Sequence, residues 1–171
     1  DTEQRQAFLT ELATIDPSDI YWMDECGIDN TEVRPCGYAP EGERCQALRP
    51  GTRRDRLSIM AALNQNQLVA PFVYRGTCVA KVVEAWLEHS FLPTISPGKV
   101  IIMDNAPFHN SKRICQLVEA AGCRLLFLPP YSPDLNPIEH WWHKVKSAIR
   151  SALQSFDHLL DVAVSFAFES L

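Results

Sequence analysis

No run of apolar residues in this 171-residue chain approaches the length that crosses a bilayer, and no secretory signal opens it. A helical membrane span is thereby excluded, and a cytoplasmic protein is expected. None of the six cysteines, Cys26, Cys36, Cys45, Cys78, Cys115 and Cys123, makes a CxxC pair, and their spacings match no zinc module. Without an export signal they read as reduced, mostly structural thiols rather than a disulfide framework. No internal repeat or low-complexity tract is present. The chain begins at Asp1 rather than Met, as a fragment or processed form would.

What is present is ordinary for one folded domain with a real core: 46% hydrophobic and 22% charged residues. A formal net charge of −5 argues weakly against a polyanionic partner. Its distribution qualifies that. Six arginines stand against three acids between Arg34 and Arg56, and two lysines, one arginine and two histidines lie between His140 and Arg150 with no acid. Such patches are compatible with nucleic acid, and a solvated surface accounts for either as well.

Residues Thr2 to Thr14 predict a helix with Phe8, Leu9 and Leu12 on one face, closed by Pro17. "IYWMDE" (Ile20 to Glu25) predicts a strand. The stretch Cys26 to Asp55 reads as irregular, with room for a brief strand at "RCQALR". "RLSIMAALN" and "QLVAPFVY" predict an antiparallel hairpin about Gln65 and Asn66. Thr77 is the expected cap of a helix bearing Val79, Val82, Val83, Trp86 and Leu87, which ends before Pro93. "KVIIMDN" is a continuous apolar run, hence a central strand covered on both faces. Asn110 or Ser111 should cap the next helix, with Ile114, Leu117, Val118 and Ala121 inward and Gly122 as its stop. "RLLFLP" reads as another buried strand, and a last apolar helix runs from about Ser155. Hairpin strands followed by alternating helix and strand give a mixed sheet with helices on both faces.

Three carboxylates stand out. Asp24 ends the first strand. Asp104 ends the strand Val100 to Met103, where a charge must be solvated, paired or metal-bound. Ligands collect beyond the carboxyl ends of such strands, yet an aspartate capping the turn "DNAPFHNS" fits equally. Glu139 lies in "LPPYSPDLNPIEHWWHKVKSAIR", where four prolines fall between Pro129 and Pro137. Asn136 at N-cap, Pro137 at N1 and Glu139 at N3 would make a capping box. A cap does not explain the rigid "PPYSPDLNP" before it. Ile138, Trp141, Trp142, Val145 and Ile149 follow helical spacing toward the core, while Glu139, His143, Lys146 and Arg150 share another stripe. That stripe is either an ion-paired wet face or a carboxylate beside a basic track for a phosphate backbone. If the three acids converge they form an oxygen-rich site that suits Mg²⁺ or Mn²⁺, and a pair of such ions serves phosphoryl displacement.

"MDE" on the first strand, "MDNAPFH" ending a later one and "PPYSPDLNPIEHWW" entering a helix resemble the catalytic domain of DDE transposases. The nearest resemblance is to the mariner superfamily in its bacterial insertion-sequence branch. Thirty-four residues separate Asp104 from Glu139, a spacing typical of that branch. The resemblance covers residues 18 to 150. It implies an α/β, ribonuclease-H-like fold over 18–171, a mixed five-stranded sheet with helices on both faces, after a helix and linker at 1–17. It implies that Asp24, Asp104 and Glu139 are the catalytic, metal-binding triad for two Mg²⁺ or Mn²⁺ ions. Asn105, His109 and His143 would support that site. Arg49, Arg53, Arg54, Lys146 and Arg150 would contact DNA, and the aromatic-Ala-Pro-x-Gly pattern at Tyr38 to Gly42 would clamp DNA or a partner subunit. Family members cut at inverted-repeat ends, join the freed 3′-hydroxyl into a TA target and act as oligomers, so transposon-end and target DNA and further copies of the chain are the implied partners. The family's helix-turn-helix modules have no counterpart in the short segment before residue 18, so specific recognition of the ends is not expected of this chain.

A stand-alone nuclease or resolvase of the same fold, and a non-catalytic DNA-binding or assembly module, remain alternatives. His140 and His143 are three apart without a third zinc ligand nearby. Trp141 and Trp142 could stack on flipped bases, but their phase with Ile138 and Val145 favours core packing.

Overall fold

The computed structural model describes residues 2–29, 39–44, 56–106, 109, 111–156 and 159–170. Tyr38 of the clamp pattern, Asn110 and the strand expected beyond Arg44 in "RCQALR" lie outside the described residues. The elements are α1 (Thr2–Leu12), β1 (Ile20–Asp29), β2 (Arg56–Asn64), β3 (Gln67–Arg75), α2 (Ala80–Trp86), β4 (Val100–Met103), α3 (Lys112–Ala120), β5 (Arg124–Phe127), α4 (Ile138–Ser155) and α5 (Leu160–Glu169). They form the expected mixed five-stranded sheet, ordered β3-β2-β1-β4-β5. β1, β2 and β3 pair antiparallel, while β4 lies parallel to both β1 and β5.

The hairpin turns where predicted. Gln65 and Asn66 both take positive φ, 45° and 67°, the two-residue geometry whose twist matches the strands. β1 runs past its expected end at Glu25, because β2 pairs with it as far as Asp29↔Arg56. Backbone pairing overrides the weak strand propensity of Gly27. The Arg56 guanidinium lies over that glycine, so close that an added Cβ would meet Nη2 at 2.7 Å.

Helices cover both faces. On one, Cys26, Ile28, Ile59 and Ala61 meet Trp142, Val145 and Ile149 of α4 and Leu160 and Val164 of α5. On the other, Met23, Met60, Ile101 and Met103 meet Val83, Trp86, Phe91, Ile114 and Val118. Trp86 and Phe91 stack with centroids 4.9 Å apart, and the Trp86 indole donates to the Ala70 carbonyl at 2.8 Å. β4 is buried along its whole length, as its apolar run requires. Phe8 of α1 packs with Ile20, Val100, Ile102 and Leu128.

Several expectations need correcting. Leu9 is exposed, and Phe8 alone of α1 is buried. Thr77 does not cap α2: Val79 stands at the N-cap with no side-chain bond, and the helix continues as a π turn, Leu87–Phe91, that carries Phe91 inward. β5 is an edge strand and so only partly buried. α4 runs to Ser155 because Ala152 and Leu153 prolong its apolar stripe, and the last helix starts at Leu160. Ser111, as expected, caps α3 by accepting from the Ile114 amide at 3.1 Å, and Gly122 follows at φ 70°.

Ile101→Ala, at a fully buried site on β4, should cost about 2–5 kcal/mol in chemical denaturation. A loss below about 1 kcal/mol would contradict a close-packed central strand.

Candidate active site

The site begins with a register. Ile20, Tyr21 and Trp22 of β1 pair with Val100, Ile101 and Ile102 of β4. Carried two residues beyond its last pair, that register directs Asp24 and Asp104 toward the same face, and both line one cavity. β4 ends at Met103 whereas β1 continues to Asp29. The notch opens a cavity of about 400 Å³ lined by Asp24, Asp104, Asn105 and Glu139, with the proline-rich segment Pro129–Pro133 as its rim.

Glu139 enters from the first turn of α4. The predicted capping box is absent: the N-cap is Pro137 with no side-chain bond, and Asn136 is buried with its Oδ1 unpaired. Asn136 contributes its carbonyl instead, which accepts from the Glu139 amide at 3.2 Å. Capping therefore does not consume the carboxylate, which stays exposed at the pocket.

The two aspartates titrate in opposite directions. Asp24 is 9% exposed. Its Oδ1 accepts from the Glu25 amide at 2.8 Å and its Oδ2 from the Trp142 indole at 3.1 Å. Burial, and then the charges of Glu25 and Glu139, push its carboxyl up to about 7 against these hydrogen bonds. Asp104 is held below the usual carboxylate range, first by the hydrogen bond from His109. Its Oδ1 takes both that bond and one from the Ala106 amide at 3.0 Å. His109 is wholly buried, and its Nε2 lies 3.3 Å from Glu25 Oε2. Burial opposes its charge, but hydrogen bonds to Asp104 and Glu25 outweigh that and raise it to about 9.

The donor set fits a hard divalent cation: the acids are oxygen ligands, and the cost of ionising Asp24 is one that a bound cation offsets. Among the described residues no three acidic, histidine or cysteine groups yet gather on a single point. The carboxylates would have to close on an ion.

Other candidate residues fall elsewhere. His143 does not line the cavity; it stands exposed one turn beyond Glu139, about 6 Å along the helix. Lys146 lies near enough to the Cys26 thiol for its charge to act there. Arg150 is half-buried on the same helix. Arg49, Arg53 and Arg54 lie outside the described residues. Trp141 is partly buried with Lys144 Nζ 4.6 Å above its ring, and Trp142 is fully within the core. The sequence shows Trp142 only as a core residue. Its second role, tying α4 to Asp24, is signalled by the need of any buried indole for an acceptor.

The fold, the paired aspartates and the glutamate at a helix start together define a known class. The chain belongs to the DDE superfamily endonuclease family, which it matches over residues 19–160. The Tcb2 transposase of Caenorhabditis briggsae is 40% identical over 90 residues, 47% of this chain and 33% of that protein. The Tc1 transposase of Caenorhabditis elegans is 38% identical over 65 residues, 38% of this chain and 24% of that protein. The chain thus spans about a third or less of the length of these curated relatives. Among solved structures, the Mos1 transposase paired-end complex with left transposon end shares the fold with TM-score 0.66 at 16% identity, over 86% of this chain and 47% of that one. The catalytic domain of Mos1 mariner transposase does so with TM-score 0.58 at 16% identity, over 93% and 76%. The catalytic core domain of BIV integrase follows with TM-score 0.57 at 19% identity, over 90% and 83%. The architecture is thus the ribonuclease-H-like fold of transposase and integrase catalytic domains.

Asp24 titrates at 3.8 when unperturbed and about 7 in the fold, so between those values the native state holds the extra proton. Metal-free protein should lose stability across that interval as pH rises, by up to ~1.4 kcal/mol per pH unit. Asp24→Asn should remove this slope in urea denaturation followed against pH. An identical slope in the variant would take Asp24 out of the cluster.

Proposed function

We propose that this chain is the catalytic domain of a transposase. It hydrolyses phosphodiester bonds at transposon ends and transfers the freed 3′-hydroxyl into target DNA, at TA steps by resemblance. Asp24, Asp104 and Glu139 are the carboxylates that hold two Mg²⁺ or Mn²⁺ ions. The observation that supports this best is the shared pocket at the end of β4, beside the middle of β1, which two aspartates and the helix-start glutamate line together.

When bound, such ions supply activation of an attacking oxygen and stabilisation of a leaving one. The chain's own residues set the conditions for that. Trp142 and the Glu25 amide fix both oxygens of Asp24. His109 and the Ala106 amide occupy Oδ1 of Asp104, leaving its other oxygen to the pocket. Glu139 is free of any cap bond and can swing toward the strands. Asn105 lines the same pocket and His109 braces it from behind.

DNA is the partner, with Lys146 and Arg150 on α4 as phosphate contacts, joined by Arg49, Arg53 and Arg54, which lie outside the described residues. Mos1 neighbours include a paired-end complex with Mn and one with Mg, and a strand transfer complex. They support divalent-metal use and oligomeric assembly on DNA for this chain too. The thirty-four-residue spacing supports the bacterial insertion-sequence branch, and with it a cytoplasmic site of action. No helix among the described residues is long and apolar enough to cross a membrane.

Asp104→Asn should leave the fold intact and reduce Mn²⁺-dependent cleavage to background; retained cleavage would remove Asp104 from the triad. In the same assay a pre-cut 3′ end separates transfer from hydrolysis: products joined to target support a transposase, and cleavage alone supports a nuclease. Lys146→Ala with Arg150→Ala should lower the slope of log affinity against log salt by roughly 1–2. An unchanged slope would reject the basic track.

A further inference from the structure

Tyr131 stands at the rim of the carboxylate pocket with its side chain fully exposed, 100%. Its backbone lies at φ 54°, the left-handed region that residues with a Cβ rarely enter. Among the described residues it makes no hydrogen bond or ring contact, so the ring contributes nothing to the fold that would compensate for the strained backbone.

The turn that presents it is braced. Pro129 and Pro130 fix the approach. Ser132 is buried; its hydroxyl donates to the Pro130 carbonyl at 3.2 Å and accepts from Arg5 Nη1 at 3.0 Å. Arg5 also grips Asp134 with both terminal nitrogens, at 3.0 and 2.5 Å. Strain held in place beside a reactive cluster points to a ligand. The ligand chemistry follows from the surroundings. Carboxylates repel a phosphate backbone until cations are present, whereas a neutral aromatic face attracts any nucleobase by stacking. A recessed carboxylate pocket is reached more easily by a backbone whose neighbouring base has left the helical stack.

We propose that Tyr131 is a stacking platform for a nucleobase displaced from the duplex next to the phosphate that is cut. This rests on the DNA-cleaving function proposed above and adds a recognition element to it. The ring selects deformable or already opened steps rather than a base sequence, because every base offers a π face.

The test uses the whole chain with Mn²⁺ and a nicked DNA duplex carrying 2-aminopurine at the nick. Tyr131→Gly suits the left-handed backbone, so folding is not at risk, and Tyr131→Phe keeps the ring. Tyr131→Phe should quench 2-aminopurine as the unchanged chain does and bind within about twofold, while Tyr131→Gly should lose the quenching and bind about 5- to 100-fold more weakly. Equal quenching, affinity and cleavage by Tyr131→Gly would overturn the inference and leave the proposed function standing. A changed oligomeric state with quenching intact would assign the ring to a second copy and also overturn it. If the unchanged chain neither binds nor cuts the duplex, the proposed function itself falls and the inference with it.

Discussion

Parallel pairing of β1 with β4 governs everything else in this structure, because it converts two aspartates 80 residues apart in the chain into neighbours on one face. The pairing is itself a consequence of burial. Val100 to Met103 can lie only between two strands and under two layers of helix, so β4 takes an interior place in the sheet, between β1 and β5. Its early end then leaves the longer β1 without a partner on that side, and the gap is the pocket. A strand longer by two residues would carry Asp104 into continued pairing and close the gap.

The interior around the pocket is organised to tolerate charge of one sign. Asp24 is buried among apolar residues of the α4 layer, with an indole and a main-chain amide as its donors. Glu25, the next residue, points by strand alternation to the opposite face, where His109 accounts for it. Asp104 and Glu25 thus share one imidazole across the sheet edge, and Asp24 is left as the acid whose ionisation is least compensated. Two neighbouring aspartates in unlike surroundings acquire unlike protonation behaviour, which is how one pocket can hold groups with separate tasks.

Much of this was legible in the residues. The apolar run of β4, the helical spacing of Ile138, Trp142, Val145 and Ile149, and the Ser111 and Gly122 boundaries of α3 are local signals, and each element formed. What escaped depended on tertiary partners. β1 extends through Gly27 because β2 supplies hydrogen bonds there, and no propensity announces that. α2 begins without its expected cap because packing of Val83 and Trp86 suffices to hold it. Asn136, Pro137 and Glu139 spell a capping box, but burial of the asparagine side chain takes it out of that role. The indole bond to Asp24 and the grip of Arg5 on Ser132 and Asp134 link residues more than a hundred positions apart, so no spacing rule could reveal them.

That last grip makes the amino-terminal helix a structural part of the pocket. α1 contributes the buried ring of Phe8 to the core and the Arg5 guanidinium to the proline-rich rim, and it is held further by packing of Leu12 and by the Glu11 carboxylate on Arg124. The shape of the rim therefore depends on the docking of α1, which reaches it through Arg5 on Ser132 and Asp134.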